Sequence, residues 1–182
     1  MPRWLNVSNL LTLLRLALVP VVVRAILDGR PFAALAVFAG AAVTDILDGA
    51  SARHFRTTTT AGAVLDPIAD KCLLSGVFLA LALAGSMPWW LVAIVFGRDL
   101  YLLLAAALTL LFTRTRKFPP SVWGKASTFV QSVTVVLWMA RDLLQTPALD
   151  ALTSAMPWPC AAFTLWSGTH YTWRGVRVIR RD

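Results

Sequence analysis

The chain has 182 residues, a formal net charge of +8, 58% hydrophobic residues and only 14% charged ones. Average globular proteins carry about 45–50% apolar and about 25% charged residues, so the composition argues against a soluble domain and for an integral membrane protein. The positive charge suits loop topology and anionic lipid, and no basic–aromatic pattern points to nucleic acid.

A spanning helix needs about 20 mostly apolar residues, and six stretches qualify. The first is 8–27, closed by Asp28-Gly29-Arg30-Pro31. It carries Arg15 and Arg24 and has no small-residue cleavage site, so it is expected to be a retained helix rather than a signal peptide. The second is 31–53. The third is 61–84, stopping at Gly85-Ser86-Met87-Pro88, and the fourth is 88–113. The fifth, 121–144, follows Pro119-Pro120. The sixth is 151–173, with Pro157 and Pro159 expected to kink or interrupt its start. Backbone satisfaction in lipid favours helices for runs of this length. The expected fold is all-α, a polytopic membrane protein with six transmembrane helices forming a single domain over 1–182.

The loops orient this bundle. Arg3, Arg53, Arg56, Arg114, Arg116, Lys117, Arg174, Arg177, Arg180 and Arg181 fall on one side, and Arg30 and Arg141 on the other. The positive-inside rule puts both termini and the 54–60 loop in the cytoplasm. The expected location is a bacterial inner (cytoplasmic) membrane. Tyr171 and Trp173 read as interface anchors, and Cys72 and Cys160 as small buried hydrophobes.

All nine acidic residues are aspartates, and Asp45, Asp48, Asp66 and Asp70 crowd into one short stretch. Asp45 and Asp48 are three apart and share a helical face. Gly62, Asp66 and Asp70 follow at spacings of four on the next helix. The joining loop, which holds His54, is short, so the two helices run antiparallel with their charged ends side by side. Converging carboxylates repel one another and lose hydration, which raises some of their pKa values unless a cation is bound. All-oxygen ligation suits Mg²⁺, Mn²⁺ or Ca²⁺. Two such ions clamp the attacking and leaving oxygens of a phosphoryl displacement. The residues alone leave a membrane cation or phosphate transporter and a structural ion-pair cluster, with Lys71 or Arg53 as partners, open as alternatives.

The pattern Asp45-x2-Asp48-Gly49-x2-Ala52-Arg53-x8-Gly62-x3-Asp66-x3-Asp70 resembles the signature of the CDP-alcohol phosphatidyltransferases at every fixed position. "NVSNLLTLLRLALVP", "LDPIADK" and "WGKASTFVQ" are similar to the phosphatidylglycerophosphate synthase and eukaryotic-type cardiolipin synthase branch. The last helix and tail match only loosely. The resemblance implies that an acceptor hydroxyl attacks the β-phosphorus of CDP-diacylglycerol and CMP leaves. It implies Asp45, Asp48, Asp66 and Asp70 as ligands of Mg²⁺ or Mn²⁺, two ions in all, and Asp70 as general base. Asp48, Gly49, Ala52, Arg53, Gly62 and Asp66 would receive the CDP-lipid, with Arg53 on a phosphate. A homodimer among membrane lipids is implied as well.

The resemblance implies a glycerol-type acceptor alcohol, glycerol 3-phosphate ahead of phosphatidylglycerol. Basic residues at membrane depth need partners. Arg98, Lys125 and Arg15 are therefore the candidates to hold an anionic acceptor, although Arg98 has Asp99 beside it as an alternative partner. Lys125 is followed by Thr128 and Gln131 at helical spacing, and Asn9, Thr12 and Arg15 line one face of the first helix. "VSN" stands where the branch usually has "PN". "GRD" at 97–99 leans toward the cardiolipin synthase type.

Overall fold

A computed structural model describes residues 7–55, 60–112 and 122–179, with side chains described outside 7–9, 45–67, 106–112 and 174–179. Among these residues every element is a helix: α1 (Val7–Leu27), α2 (Pro31–Phe55), α3 (Thr60–Leu83), α4 (Trp89–Phe112), α5 (Val122–Leu144), α6 (Pro147–Ala155) and α7 (Pro157–Ile179). Five of the six expected segments appear within a few residues of their predicted ends. The sixth is divided at Met156. Pro147 and Pro157 each open a helix, where a missing N–H goes unmissed. His54, expected on a loop, lies in the last turn of α2, because the helix continues to Phe55.

The stops read from sequence have a backbone cause. After α1, the N–H of Gly29 bonds to the carbonyl of Ile26 and that of Arg30 to Ala25, with Gly29 at φ 67°. After α3, Gly85 at φ 78° and Ser86 bond to Ala82 and Leu81 in the same way. This is the Schellman arrangement, and its left-handed residue favours glycine. Among the described residues one window, Leu10–Leu27 with mean hydropathy 2.2, is long and apolar enough to cross a membrane by length and composition; Pro31–Thr44 is apolar but shorter.

The chain divides into two compact units. The first comprises Met1–Met87 and Trp138–Gln145. Within it α1 packs against both α2 and α3. Val22, Phe38, Val77 and Phe78 are buried in this core. Arg15 meets Asp70, and Val19 and Val23 meet Gly76, so α1 and α3 run parallel. Trp138 donates its indole N–H to the Ser86 carbonyl at 2.8 Å, and the Ser86 hydroxyl donates to Asp142 at 2.9 Å.

The second unit comprises Pro88–Leu137 and Thr146–Asp182, with α7 as the common partner. It runs parallel to α4 through Trp90–Trp158, Arg98–Ser167 and Tyr101–Thr172. It runs antiparallel to the first part of α5 through Trp123–Trp166, Gln131–Thr164 and the Thr134–Cys160 contact.

Candidate active site

The motif occupies the last turns of α2 and the first turns of α3. Asp45, Asp48, Gly49, Ala52 and Arg53 are helical positions of α2, and Gly62, Asp66 and Asp70 of α3. Residues 56–59, between the two helices, lie outside the described residues, as do Arg3, Arg114, Arg116, Lys117, Pro119, Pro120, Arg180 and Arg181. The side chains of Asp45, Asp48, Arg53 and Asp66 also fall outside what is described. Asp70 is the motif carboxylate whose surroundings are visible.

Asp70 is held by α1. Arg15 Nη1 donates to Asp70 Oδ1 at 2.7 Å, an ion pair between residues 55 apart in the chain. The guanidinium is 1% exposed and the carboxylate 43% exposed. Thr12, one turn earlier on the same face of α1, is buried too. The close approach of the two helices further along depends on Gly76. A Cβ there would stand 3.1 Å from Val19 Cγ1 and 3.4 Å from Val23 Cγ2. Lys71 is half-buried beside Asp70.

The other two basic candidates belong to the second unit. Arg98 is buried; its Nη1 donates to Asp99 Oδ1 at 2.7 Å and its Nη2 to Ser167 Oγ at 2.5 Å. Its neighbour Asp99, foreseen as an alternative partner, is thus engaged. A groove of about 390 Å³ runs beside it, lined in part by Gly97, Tyr101, Gly168 and Thr172. Lys125 is exposed. Thr128 turns back on its own helix, donating to the Gly124 carbonyl at 3.2 Å. Gln131 instead crosses to α7, donating to Thr164 at 3.1 Å and to Ser127 at 3.3 Å.

Cys160 completes this buried seam with hydrogen bonds to Thr134 and Thr164. Cys72, expected to be buried, is exposed. Sequence reading missed the seam. Its signal is a polar residue at i, i+4 and i+7 on each of two apolar helices: Ser127, Gln131 and Thr134, and Cys160, Thr164 and Ser167.

The donor chemistry of the motif is four carboxylates and no sulfur or imidazole, which fits a hard divalent cation. Among the described residues no three His, Cys, Asp or Glu side chains group together.

The sequence profile of the CDP-alcohol phosphatidyltransferases matches residues 5–166. The chain belongs to that family. As a CDP-alcohol phosphatidyltransferase it is an enzyme of a membrane-bound, generally divalent-metal-dependent class. It is 35% identical over 185 residues to "Probable phosphatidylglycerophosphate synthase" of Mycobacterium tuberculosis, covering 97% of this chain and 85% of that one. It is 30% identical to "CDP-diacylglycerol--glycerol-3-phosphate 3-phosphatidyltransferase" of Aquifex aeolicus, over 98% of this chain and all of that one. It is 31% identical to "Cardiolipin synthase (CMP-forming)" of Streptomyces coelicolor, over 99% of this chain and 87% of that one. This phosphatidyltransferase therefore resembles relatives carrying both names along nearly their whole length.

Proposed function

We propose that the enzyme moves a phosphatidyl group from CDP-diacylglycerol to glycerol 3-phosphate and releases CMP. The observation that carries this reading is the complete aspartate motif across α2 and α3. The acceptor oxygen bonds to the β-phosphorus, the bond from that phosphorus to the CMP oxygen breaks, and the acceptor proton passes to Asp70. Catalysis here is positioning and electrostatics, as in other phosphoryl transfers. When bound, Mg²⁺ or Mn²⁺, two ions by the number of carboxylates, neutralises the diphosphate. Asp45, Asp48, Asp66 and Asp70 would hold the metal. Gly49, Ala52 and Gly62 leave room for the cytidine and diphosphate, and Arg53 pairs with a phosphate. Of the basic candidates for an anionic acceptor, Arg98 and Arg15 already hold Asp99 and Asp70, and Lys125 is exposed.

A second reading, phosphatidylglycerol as acceptor, is favoured by Gly97-Arg98-Asp99 and by the relative named cardiolipin synthase.

Six spanning helices within one catalytic domain, with both termini and the site cytoplasmic, accompany this proposal, as does a homodimer. Helix length supports the count. α1 to α5 and α7 run from 21 to 25 residues. The nine residues of α6, at about 1.5 Å each, fall far short of a hydrocarbon core of about 30 Å.

The test is CMP release by purified protein in mixed micelles, with each acceptor in turn and products identified by mass spectrometry. Release should need Mg²⁺ or Mn²⁺, vanish with chelator, and be lost in Asp66→Asn and Asp70→Asn. A folded wild type that releases no CMP with either acceptor refutes the proposal. Cardiolipin as the sole product selects the second reading.

A further inference from the structure

The role of Arg15 is open between three possibilities: a contact to the acceptor, a structural ion pair, and a brace for the carboxylate that takes the proton. We infer that Arg15 is a positioning residue for Asp70, fixing one carboxylate oxygen from a buried site on α1. This rests on the proposed function, in which Asp70 is the general base.

Three observations carry it. The first is direction. Arg15 Nη1 lies 2.7 Å from Asp70 Oδ1, the length of a charge-assisted bond. The guanidinium is therefore already engaged by the carboxylate that the reaction uses.

The second is asymmetry of exposure. The arginine is 1% exposed and the aspartate 43%. Here the cation is the fixed element, and the carboxylate is the group that remains within reach of a substrate.

The third is the rigidity of the support. Arg15 projects from a helix packed closely on α3 at Gly76, where a Cβ would stand 3.1 Å from Val19 Cγ1 and 3.4 Å from Val23 Cγ2. Both valines are β-branched, with one strongly preferred rotamer in a helix. The absence of a side chain at Gly76 thus lets α1 and α3 come close, which keeps Asp70 within reach of Arg15.

A brace of this kind acts on the chemical step and leaves binding of either substrate alone. A displacement of about 1 Å at a catalytic group lowers the rate by about 100-fold. The experiment compares wild type, Arg15→Gln and Arg15→Lys with CDP-diacylglycerol, glycerol 3-phosphate and Mn²⁺. kcat and both KM values are measured, with CDP binding in the presence of Mn²⁺ read by calorimetry.

The expected result is a kcat lowered about 100-fold in Arg15→Gln, with both KM values and CDP affinity unchanged. Arg15→Lys should recover part of kcat, since its compact ammonium keeps the charge but not the planar fork.

Three outcomes overturn the inference. A raised KM for glycerol 3-phosphate with kcat kept makes Arg15 an acceptor contact. Loss of CDP affinity in both Arg15 variants makes its role structural. Wild-type kcat in Arg15→Gln removes the role while leaving the proposed function intact. Absence of CMP release by wild type is a different failure, that of the proposed function itself, and the positioning role falls with it.

Discussion

Replacing Gly76 tests whether the α1–α3 contact sets the geometry of the site. A methyl group there would stand 3.1 Å from Val19 Cγ1 and 3.4 Å from Val23 Cγ2. Alanine gains about 1 kcal/mol of helix propensity over glycine, and this contact offsets it, so Gly76→Ala should be close to neutral. Gly76→Leu adds a branched side chain beyond an already tight Cβ position, and overpacking of this kind costs about 1–3 kcal/mol. In a chain of this length that is a fall of several degrees in Tm.

The effect on activity should be larger than the effect on stability. Gly76 lies six residues beyond Asp70, or about 9 Å along the α3 axis. A separation of about 1 Å between the helices would stretch the 2.7 Å Arg15–Asp70 bond beyond hydrogen-bonding range. The control is Gly40→Ala on α2, where a Cβ meets nothing within 4 Å; it should be neutral or stabilising. The assay is thermal unfolding in detergent followed by tryptophan fluorescence, with CMP release measured well below each midpoint. Equal Tm and equal rate in Gly76→Leu and Gly40→Ala would refute the reasoning.

Asp99→Ala should destabilise the second unit by about 3–5 kcal/mol, because it removes a carboxylate from a buried guanidinium; thermal unfolding reads this, and a change below 1 kcal/mol on the same scale would contradict it. Arg98→Met should be milder, and its KM for glycerol 3-phosphate tells whether Arg98 also serves the acceptor. Trp138→Phe should lower stability by about 1–3 kcal/mol, as the buried indole N–H···O=C bond to Ser86 is lost, with CMP release below the midpoint unchanged.

Much of the fold was legible because lipid-sized apolar runs and glycine stops are local signals. Gly29 and Gly85 end their helices through hydrogen bonds made within six residues. The break before Pro157 was expected, but α6 as a helix of its own was not, since nine residues are too short to leave a spanning signature. Its markers in the sequence were nevertheless present: Thr146 at the cap position, Pro147 at the first position and Asp150 in the first turn. The motif positions were legible for the same local reason, since spacings of three and four put residues on one face. Pairings across helices were not. Arg15 was a candidate acceptor contact because nothing in residues 8–27 names Asp70 as its partner. Gln131 was grouped with Thr128 by spacing, yet Thr128 bonds its own backbone and Gln131 bonds α7.

Arg15 and Arg98 show how similar local chemistry serves different ends. Both guanidiniums are buried, and both donate through Nη1 to an aspartate at 2.7 Å. Arg98 takes its carboxylate from the adjacent residue, and that carboxylate is only 15% exposed. Its second nitrogen goes to Ser167 on α7. Both of these partners are internal to the α4–α7 contact, so among the described residues the charge is met by packing. Arg15 reaches across to another helix and meets a carboxylate that stays 43% exposed and belongs to the motif. A buried cation whose aspartate is sealed with it holds helices together. A buried cation whose aspartate faces outward also fixes the aim of that aspartate, and this difference in exposure sets the reading of Arg15 apart from that of Arg98.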